Sequence, residues 1–337
     1  GLKGGVMYWD GQFDDARLAL ALARTAAHKA ALVANYCVVT ELLYENNKIA
    51  GVQCVDSETH QTFTIRSACV INATGVWVDE LRQQDASHQG SKTENLVSPS
   101  QGVHLVVDRD FLPSEHALLI PKTADGRVLF AVPWLGKVIL GTTDTPRPDL
   151  ALEPTPFESE IDFILQEAAN YLAKKPTRAD VKSVWVGLRP LVKASGEAST
   201  KKLSREHTIL TSKSGLVTVT GGKWTTYRAM AEDVIQHCLK HNLLPSTTSR
   251  SVTKQLRLVG APKDSSGRNL HTVAQLDAYG SESAWVQSLE GAEIELLPGF
   301  TEAMVRYGVR YEYARTVEDI LARRSRWLFL DSKAARG

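Results

Sequence analysis

The spacing of apolar residues changes several times along the chain, and each change marks an element. Residues 18–31 are apolar at helical spacing, and Asp14-Asp15 just ahead put two carboxylates where a helix dipole favours them. A strand is predicted next at 32–36. Residues 38–44, 51–56 and 62–66 then alternate or run apolar around the turn Glu45-Asn46-Asn47, which reads as a small meander. Ala68-Cys69-Val70-Ile71-Asn72-Ala73-Thr74-Gly75 reads as a short buried strand ending at a glycine, with a helix after it from about Trp77. Residues 84–97 are polar and read as a loop.

Short strands are predicted at 103–107, 117–121, 128–133 and 138–141. Turn signals such as Asp125-Gly126 and Leu135-Gly136 join them, and this spacing points to an antiparallel sheet. An amphipathic helix over 157–174 follows, then a strand at 181–188 running into Arg189-Pro190. A hairpin over 208–219, turning at 212–215, leads to a helix at 225–239. Residues 245–274 are rich in Ser, Thr, Pro and Gly and read as a linker, after which the pattern is helical again. Within it, Arg323-Arg324-Ser325-Arg326 reads as a solvated basic helix face, with a membrane or partner surface as the alternative.

Composition sets limits on this picture. The 337 residues are 43% hydrophobic, enough for a sizeable core and for two domains rather than one. Lys plus Arg number 39 against 38 Asp plus Glu, and this balance argues against wholesale nucleic-acid binding. The four cysteines form no C-x-x-C and no Cys/His cluster at zinc spacing, so reduced thiols in a cytosolic protein and no metal site are expected. The best apolar run, 128–140, is broken by Pro133, Gly136 and Lys137, short of the roughly 18–20 residues a membrane span needs. The first residues, Gly1-Leu2-Lys3-Gly4-Gly5, have no apolar segment behind them and no initiator Met, so a processed chain or a piece of a longer one is expected.

Candidate chemistry gathers at strand ends. In Val217-Thr218-Val219-Thr220-Gly221-Gly222-Lys223-Trp224-Thr225-Thr226-Tyr227-Arg228, β-branched residues meet two glycines and a lysine before a helix. A helix N-terminus with an added ammonium suits an anionic group. It is not a Walker loop, because Val217 stands where its first glycine would be and Trp224 where its Ser or Thr would be. An ordinary tight strand-to-helix turn explains the same residues, and both readings stand. Asn72-Ala73-Thr74-Gly75 either lets a nucleotide approach the backbone or is a plain turn, and no G-x-G-x-x-G occurs. His104, after Gly102 in a strand, is either a satisfied strand residue or a base. Arg189 at a strand end reaches into a cleft or makes a surface ion pair. Gly141-Thr142-Thr143-Asp144 ends a strand in small hydroxyls, with Asp144 free to cap a turn.

Taken in order, several stretches resemble one family. They are Tyr8-Trp9-Asp10-Gly11-Gln12-Phe13-Asp14-Asp15-Ala16-Arg17-Leu18, Val70–Gly75, Ser98-Pro99-Ser100-Gln101-Gly102-Val103-His104, Leu140-Gly141-Thr142-Thr143-Asp144, Val186-Gly187-Leu188-Arg189-Pro190-Leu191 and Gly221–Arg228. With the tail from Arg315 to Arg324, the set is similar to the FAD-dependent, quinone-linked glycerol-3-phosphate dehydrogenases. The resemblance begins after that family's first strand and glycine-rich dinucleotide turn, so a member lacking this segment is expected.

The resemblance implies an α/β fold. An incomplete Rossmann-like FAD-binding layer would occupy residues 1–90 and 185–244, interrupted by an antiparallel substrate-binding domain at 91–184. A linker at 245–274 and a helical domain at 275–337 would follow. It implies FAD near the backbone of Val39, near Ala73, Thr74, Gly75 and Trp77, and at Gly221, Gly222, Lys223, Trp224 and Thr225, with Lys223 and the helix N-terminus stabilising negative charge at the flavin pyrimidine edge. It implies oxidation of glycerol 3-phosphate to dihydroxyacetone phosphate by hydride transfer to flavin N5. His104 would be the general base, Arg189 would bind the phosphate, and Lys223 and either Thr142 or Thr143 would touch the substrate. Electrons would pass to the quinone pool. The chain would then be cytoplasmic and peripheral at the inner face of the plasma membrane, with a homodimer allowed and no nucleic-acid partner. Two alternatives stand beside this reading: an oxidase passing electrons to O2, and a catalytically inactive fragment.

Overall fold

The computed structural model describes residues 4–123, 126–193, 206–246, 250–262, 270 and 275–337. Helix α1 (Asp15–His28) opens as its sequence predicts: the Asp14 carboxylate accepts from the Arg17 amide at 3.2 Å and caps the first turn. The segment after it is no strand. Residues 32–36 join no sheet among the described residues, although the Tyr36 carbonyl accepts from the Ser57 amide at 2.8 Å, and Leu32 is fully exposed. Strands β1 (Cys37–Glu45), β2 (Lys48–Asp56) and β3 (Thr62–Arg66) form the antiparallel meander. Asn46 and Asn47 both adopt positive φ, 49° and 61°, the twist a two-residue hairpin needs.

Strand β4 (Ile71–Asn72) ends in a 3-10 turn at Gly75–Trp77 that runs into α2 (Val78–His88). Residues 84–88 of the loop predicted at 84–97 are therefore helix. Asp85 faces inward there and accepts from Tyr44 Oη at 3.1 Å and from Ser214.

The largest sheet is antiparallel. It contains β5 (Val97–Asp108), β6 (Leu118–Ile120), β7 (Leu129–Trp134), β8 (Lys137–Gly141), β9 (Thr145–Pro146) and, after helix α3 (Glu158–Ala169), β10 (Ser183–Val192). The order is β10-β5-β8-β7-β6, with β9 also on β5. One face is packed on α3: Val103, Leu105, Val107, Leu129 and Leu140 meet Ile161, Ile164 and Leu165. Each such side chain contributes roughly 1.5–3 kcal/mol through burial. Alternate residues of β5 therefore project to the other face. β10 is the edge strand, which is why Pro190 is tolerated inside it. The strand crosses residue 185, so residues 185–192, read from sequence as a return to the cofactor layer, pair with β5 throughout.

A third sheet, of order β11-β12-β4, joins β11 (His207–Thr211) and β12 (Val217–Gly221) to β4. β12 and β4 are parallel, with Val217 beside Ile71 and Thr218 beside Asn72. Helix α4 (Tyr227–Lys240) follows. β10 lies against β12 and against the Gly75–Trp77 turn, so it forms the seam between the two sheets.

Of the segment read as a linker, residues 250–255 are exposed, while Leu270 sits with Trp134 and Leu135 and the Val259 amide donates to Thr25 Oγ1 at 2.9 Å. The rest lies outside the described residues. The C-terminal part contains α5 (Ser283–Gln287), a β13 (Glu295–Leu297)–β14 (Phe300–Thr301) ribbon, α6 (Glu302–Tyr311), a π-helical turn at Asp319–Arg324 and α7 (Trp327–Leu330) around Tyr279, Met304, Tyr307 and Trp327. It carries helices, as its pattern predicts, and also a ribbon.

The Arg323–Arg326 stretch is not a solvated face. Arg326 takes φ 66° and breaks the helix, which turns its side chain inward to 6% exposure. Its guanidinium donates to Asp15 at 3.0 Å and lies 3.8 Å from Asp14, over the rings of Phe329 and Trp134. Arg324 is also buried and donates to the Glu312 carbonyl at 3.0 Å, while Arg323 pairs with Glu318 at the surface. Arg326→Ala should lower unfolding stability by about 3 kcal/mol, since it removes a buried side chain packed on the Phe329 and Trp134 rings and takes the nearest cation from the buried Asp14 carboxylate. Arg323→Ala should cost under about 0.5 kcal/mol. Urea titration of both variants checks the contrast, and equal losses would contradict it.

A candidate active site at the seam of two sheets

The register of β5 and β10 builds the site. Ser100 lies opposite Arg189, Gly102 opposite Gly187, and His104 opposite Trp185. Opposed residues in an antiparallel pair share a face, so Ser-x-Gly-x-His and Trp-x-Gly-x-Arg lie side by side on the face away from α3. The glycine pair leaves a trough between Arg189 and the His104–Trp185 pair. A Cβ on Gly187 would meet nothing within 4 Å, so the floor there is open. A Cβ on Gly102 would collide with the Arg189 guanidinium and lie 2.7 Å from Thr142 Oγ1. Arg189 thus crosses bare backbone, which only glycine permits.

Arg189 Nη2 donates to Thr142 Oγ1 at 3.0 Å, and Nη1 is 3.5 Å from Asp144 Oδ1. Ser100 Oγ donates to the same carboxylate oxygen. His104 stacks on the Trp185 indole, with centroids 4.2 Å apart and planes 17° from parallel. On β8 it faces Gly141, where a Cβ would lie 2.6 Å from His104 Cδ2. Burial first, and the Arg189 charge second, push the imidazole pKa down from 6.5 to about 4. His104 is neutral at physiological pH, as a proton acceptor must be, but it is a weaker base than an ordinary histidine.

Glu160 holds the floor of the site. This buried carboxylate on α3 accepts from Thr143 Oγ1 at 2.8 Å, Thr145 Oγ1 at 2.6 Å, the Phe157 amide at 3.0 Å and Gln101 Nε2. Gln101 in turn accepts from Arg147 at 2.6 Å. Thr143 is 1% exposed, and its oxygen also accepts from the Val103 amide at 3.0 Å, so its hydroxyl is turned inward. Geometry separates the two threonines: Thr142 lies at Arg189, and Thr143 anchors the loop.

The Gly221–Gly222 turn stands at the carboxyl end of β12, beside the carboxyl end of its parallel neighbour β4. Gly221 and Gly222 have φ 78° and 73°. A Cβ on Gly221 would lie 2.7 Å from the Glu206 carbonyl, and one on Gly222 2.6 Å from Met230 Sδ. Both glycines are therefore required by the fold itself. Lys223, Trp224 and Thr225 are exposed at the head of the helix. Among the described residues, no hydrogen bond or ion pair joins Lys223 to Arg189 or His104. Ala73 and Thr74 are exposed, and Gly75, at φ 63°, has open space where a Cβ would stand.

Residues 1–228 match the FAD dependent oxidoreductase family, and residues 251–337 match the C-terminal domain of alpha-glycerophosphate oxidase. The chain belongs to the FAD dependent oxidoreductase family. It is 40% identical over 361 aligned positions to the glycerol-3-phosphate dehydrogenases, mitochondrial, of Bos taurus and Homo sapiens, over 99% of this chain and 49% of each relative. It thus spans about half the length of these relatives. It also resembles the structure of the glycerol-3-phosphate dehydrogenase from Bacillus halodurans complexed with FAD. There the TM-score is 0.79 at 30% identity, over 96% of this chain and 66% of that one.

Parallel strands whose carboxyl ends open onto exposed small residues fit the edge of a dinucleotide in such an oxidoreductase. The other expected cofactor residues are more dispersed. Val39 sits on β1, in the meander, which reaches the parallel layer through Gln84 of α2 and its bonds to the Leu42 amide and Thr40 carbonyl, at 2.8 Å and 3.2 Å. Trp77 gives its indole N–H to the Leu150 carbonyl at 3.1 Å. Sequence reasoning missed Trp185, Gly187, Ser100 and Glu160. The period-two runs Trp185-x-Gly187-x-Arg189 and Ser100-x-Gly102-x-His104 were the signal for the first three. Glu160 had none, because its partners come from three separate segments.

Glu160→Ala leaves several buried donors without an acceptor, at about 1–3 kcal/mol each before relaxation. We expect a net loss of about 3 kcal/mol or more in urea unfolding; a loss below about 1 kcal/mol would show that the network is dispensable. His104 sets a pH dependence. Its folded pKa lies below its unfolded value, so stability is fully present above about pH 6.5 and falls as pH drops toward about 4, by roughly 3 kcal/mol in all. His104→Gln should remove that part of the slope, and an unchanged slope would contradict the buried neutral imidazole.

Proposed function

We propose that this chain carries the substrate-oxidising site of an FAD-dependent glycerol-3-phosphate dehydrogenase, converting glycerol 3-phosphate to dihydroxyacetone phosphate. One arrangement carries the reading: a guanidinium fork and a neutral imidazole at the two ends of a glycine-floored trough, beside the ends of parallel strands. The names of the relatives and of the FAD-bound structural neighbour support it.

In this reading Arg189 binds the phosphate, a dianion whose oxygens suit the guanidinium better than an ammonium. Thr142, at hydrogen-bond distance from Arg189, holds a neighbouring oxygen. His104 accepts the proton of the C2 hydroxyl. Phosphate on Arg189 would offset the charge that depresses the imidazole, so substrate binding would itself raise the basicity of His104. FAD, when bound, supplies the acceptor for the C2 hydride. Ala73–Gly75 and Gly221–Thr225 would hold it, with Lys223 adding positive charge at the flavin ring edge.

The proposed electron acceptor is a quinone, reached from a peripheral position on a membrane surface. No helix among the described residues is long and apolar enough to cross a membrane. The location proposed is the inner face of the plasma membrane; the relatives are named as mitochondrial, which makes the mitochondrion the other location to test. A second reading, an oxidase using O2, is favoured by the match of residues 251–337 to the alpha-glycerophosphate oxidase C-terminal domain. Substrate-dependent peroxide would select it.

The experiment is to load the protein with FAD, follow bleaching of the flavin absorbance on adding glycerol 3-phosphate, and repeat with Arg189→Ala. We expect bleaching, and a KM about 10- to 100-fold higher in the variant. No bleaching in flavin-loaded protein would sink the activity, and an unchanged KM would sink the phosphate role.

A further inference from the structure

We propose that the C-terminal helix α7 is a positioning element of the site: Phe329 holds the Trp185 indole, and the indole holds the His104 ring. The inference rests on the reading of His104 as proton acceptor and adds Trp185 and Phe329 to it as positioning residues.

Directional bonds do not orient either ring. His104 Nδ1 and Trp185 Nε1 are both buried, and among the described residues neither has a hydrogen-bond partner. A base is usually aimed by a hydrogen bond from its second nitrogen. Here packing has to do it. The indole lies flat on one side of the imidazole, and the Gly141 backbone approaches from β8. The indole's own edge is fixed by Phe329, with centroids 5.4 Å apart at 90°. Phe329 in turn lies 4.6 Å from the guanidinium carbon of Arg326, which is tied to Asp15 on α1.

The main chain locks the same contact. Ser183 Oγ donates to the Leu328 carbonyl at 3.1 Å. The Ser332 amide and hydroxyl donate to the Lys182 carbonyl at 3.1 Å and 2.9 Å. α7 is therefore stapled to the start of β10 on both sides of Phe329, a few residues before Trp185. The charge facing His104 is Arg189 on β10, partnered by Asp144; its β5 and β8 neighbours, Gly102 and Gly141, carry none. A residue on α7 can thus alter His104 only through the ring stack and the water it excludes.

The test is an NMR titration of the His104 imidazole, assigned with His104→Gln, in the full chain and in Phe329→Ala and Phe329→Leu. It needs no substrate, so it stands apart from the activity. In Phe329→Ala the pKa should rise by about one unit or more as water reaches the stack. With glycerol 3-phosphate, kcat should fall about 10-fold or more with KM held, because Arg189 is untouched. Leu should restore most of both. An unmoved titration with an unmoved kcat, alongside a lower Tm, would overturn the proposal and leave Phe329 with a purely structural role. Should Phe329→Ala fail to fold, Trp185→Phe and Trp185→Leu decide: Phe keeps a flat ring and should preserve the titration, Leu should not, and equal behaviour would overturn it. Wild-type protein inactive on glycerol 3-phosphate would remove the functional reading while the titration still tested the positioning.

Discussion

The unbroken pairing of β5 with β10, from Val106 opposite Ser183 to Val97 opposite Val192, is the constraint on which the site depends. It places two glycines face to face and sets a cation at one end of the bare strip and an imidazole at the other. A slip of one residue would turn Arg189 and Trp185 into the layer packed on α3 and bring Leu188 and Val186 out. Packing of Val184 and Val186 of β10 against the core on the opposite face opposes that slip. The core of the antiparallel sheet therefore specifies the chemistry of the face it does not occupy.

Polar groups beneath that face act together. The Glu160 carboxylate gathers donors from β5, from the 143–145 loop and from the start of α3. Its cost of desolvation is offset only because each lone pair finds a donor. The loop it anchors carries Thr142 and Asp144 to Arg189. Above the floor the same low dielectric works on His104, disfavouring the protonated form. One environment thus keeps the carboxylate network rigid and the imidazole neutral.

The C-terminal part is bound into this arrangement rather than appended to it. Arg17 pairs with Glu312 at 2.7 Å and Arg24 with Glu282 at 2.6 Å, which ties α1 to the C-terminal core. Arg326 links α1 to α7, and α7 is stapled to β10. The seam between the sheets is consequently braced from a third direction, and loosening it would reach the site through ring packing.

Much of this was legible in the chain. The capped α1, the Asn46-Asn47 hairpin and the antiparallel strands expected from residue 103 onward rest on local periodicity, capping and positive φ, which neighbouring residues decide. His104, Arg189 and the undecided pair Thr142 and Thr143 were singled out as candidates, while the alternation that puts His104 and Arg189 on one face was present in the sequence but not read from it. Other features were decided only by the tertiary structure, because they rest on contacts between distant segments. The segment expected as a strand at 32–36 finds no neighbouring strand among the described residues and is held instead by single bonds to distant segments, such as that of Tyr36 to Asp319. The arginines at 324 and 326 look solvated in sequence, yet acceptors supplied by Glu312 and Asp15 bring them inside. Periodicity cannot say which threonine faces inward, because Glu160 decides it from another helix. Gly221 and Gly222 are explained by the close approach of Glu206 and Met230, which no local pattern contains. Local rules determined the elements, and the meeting of distant side chains in a low-dielectric seam determined which of them form the site.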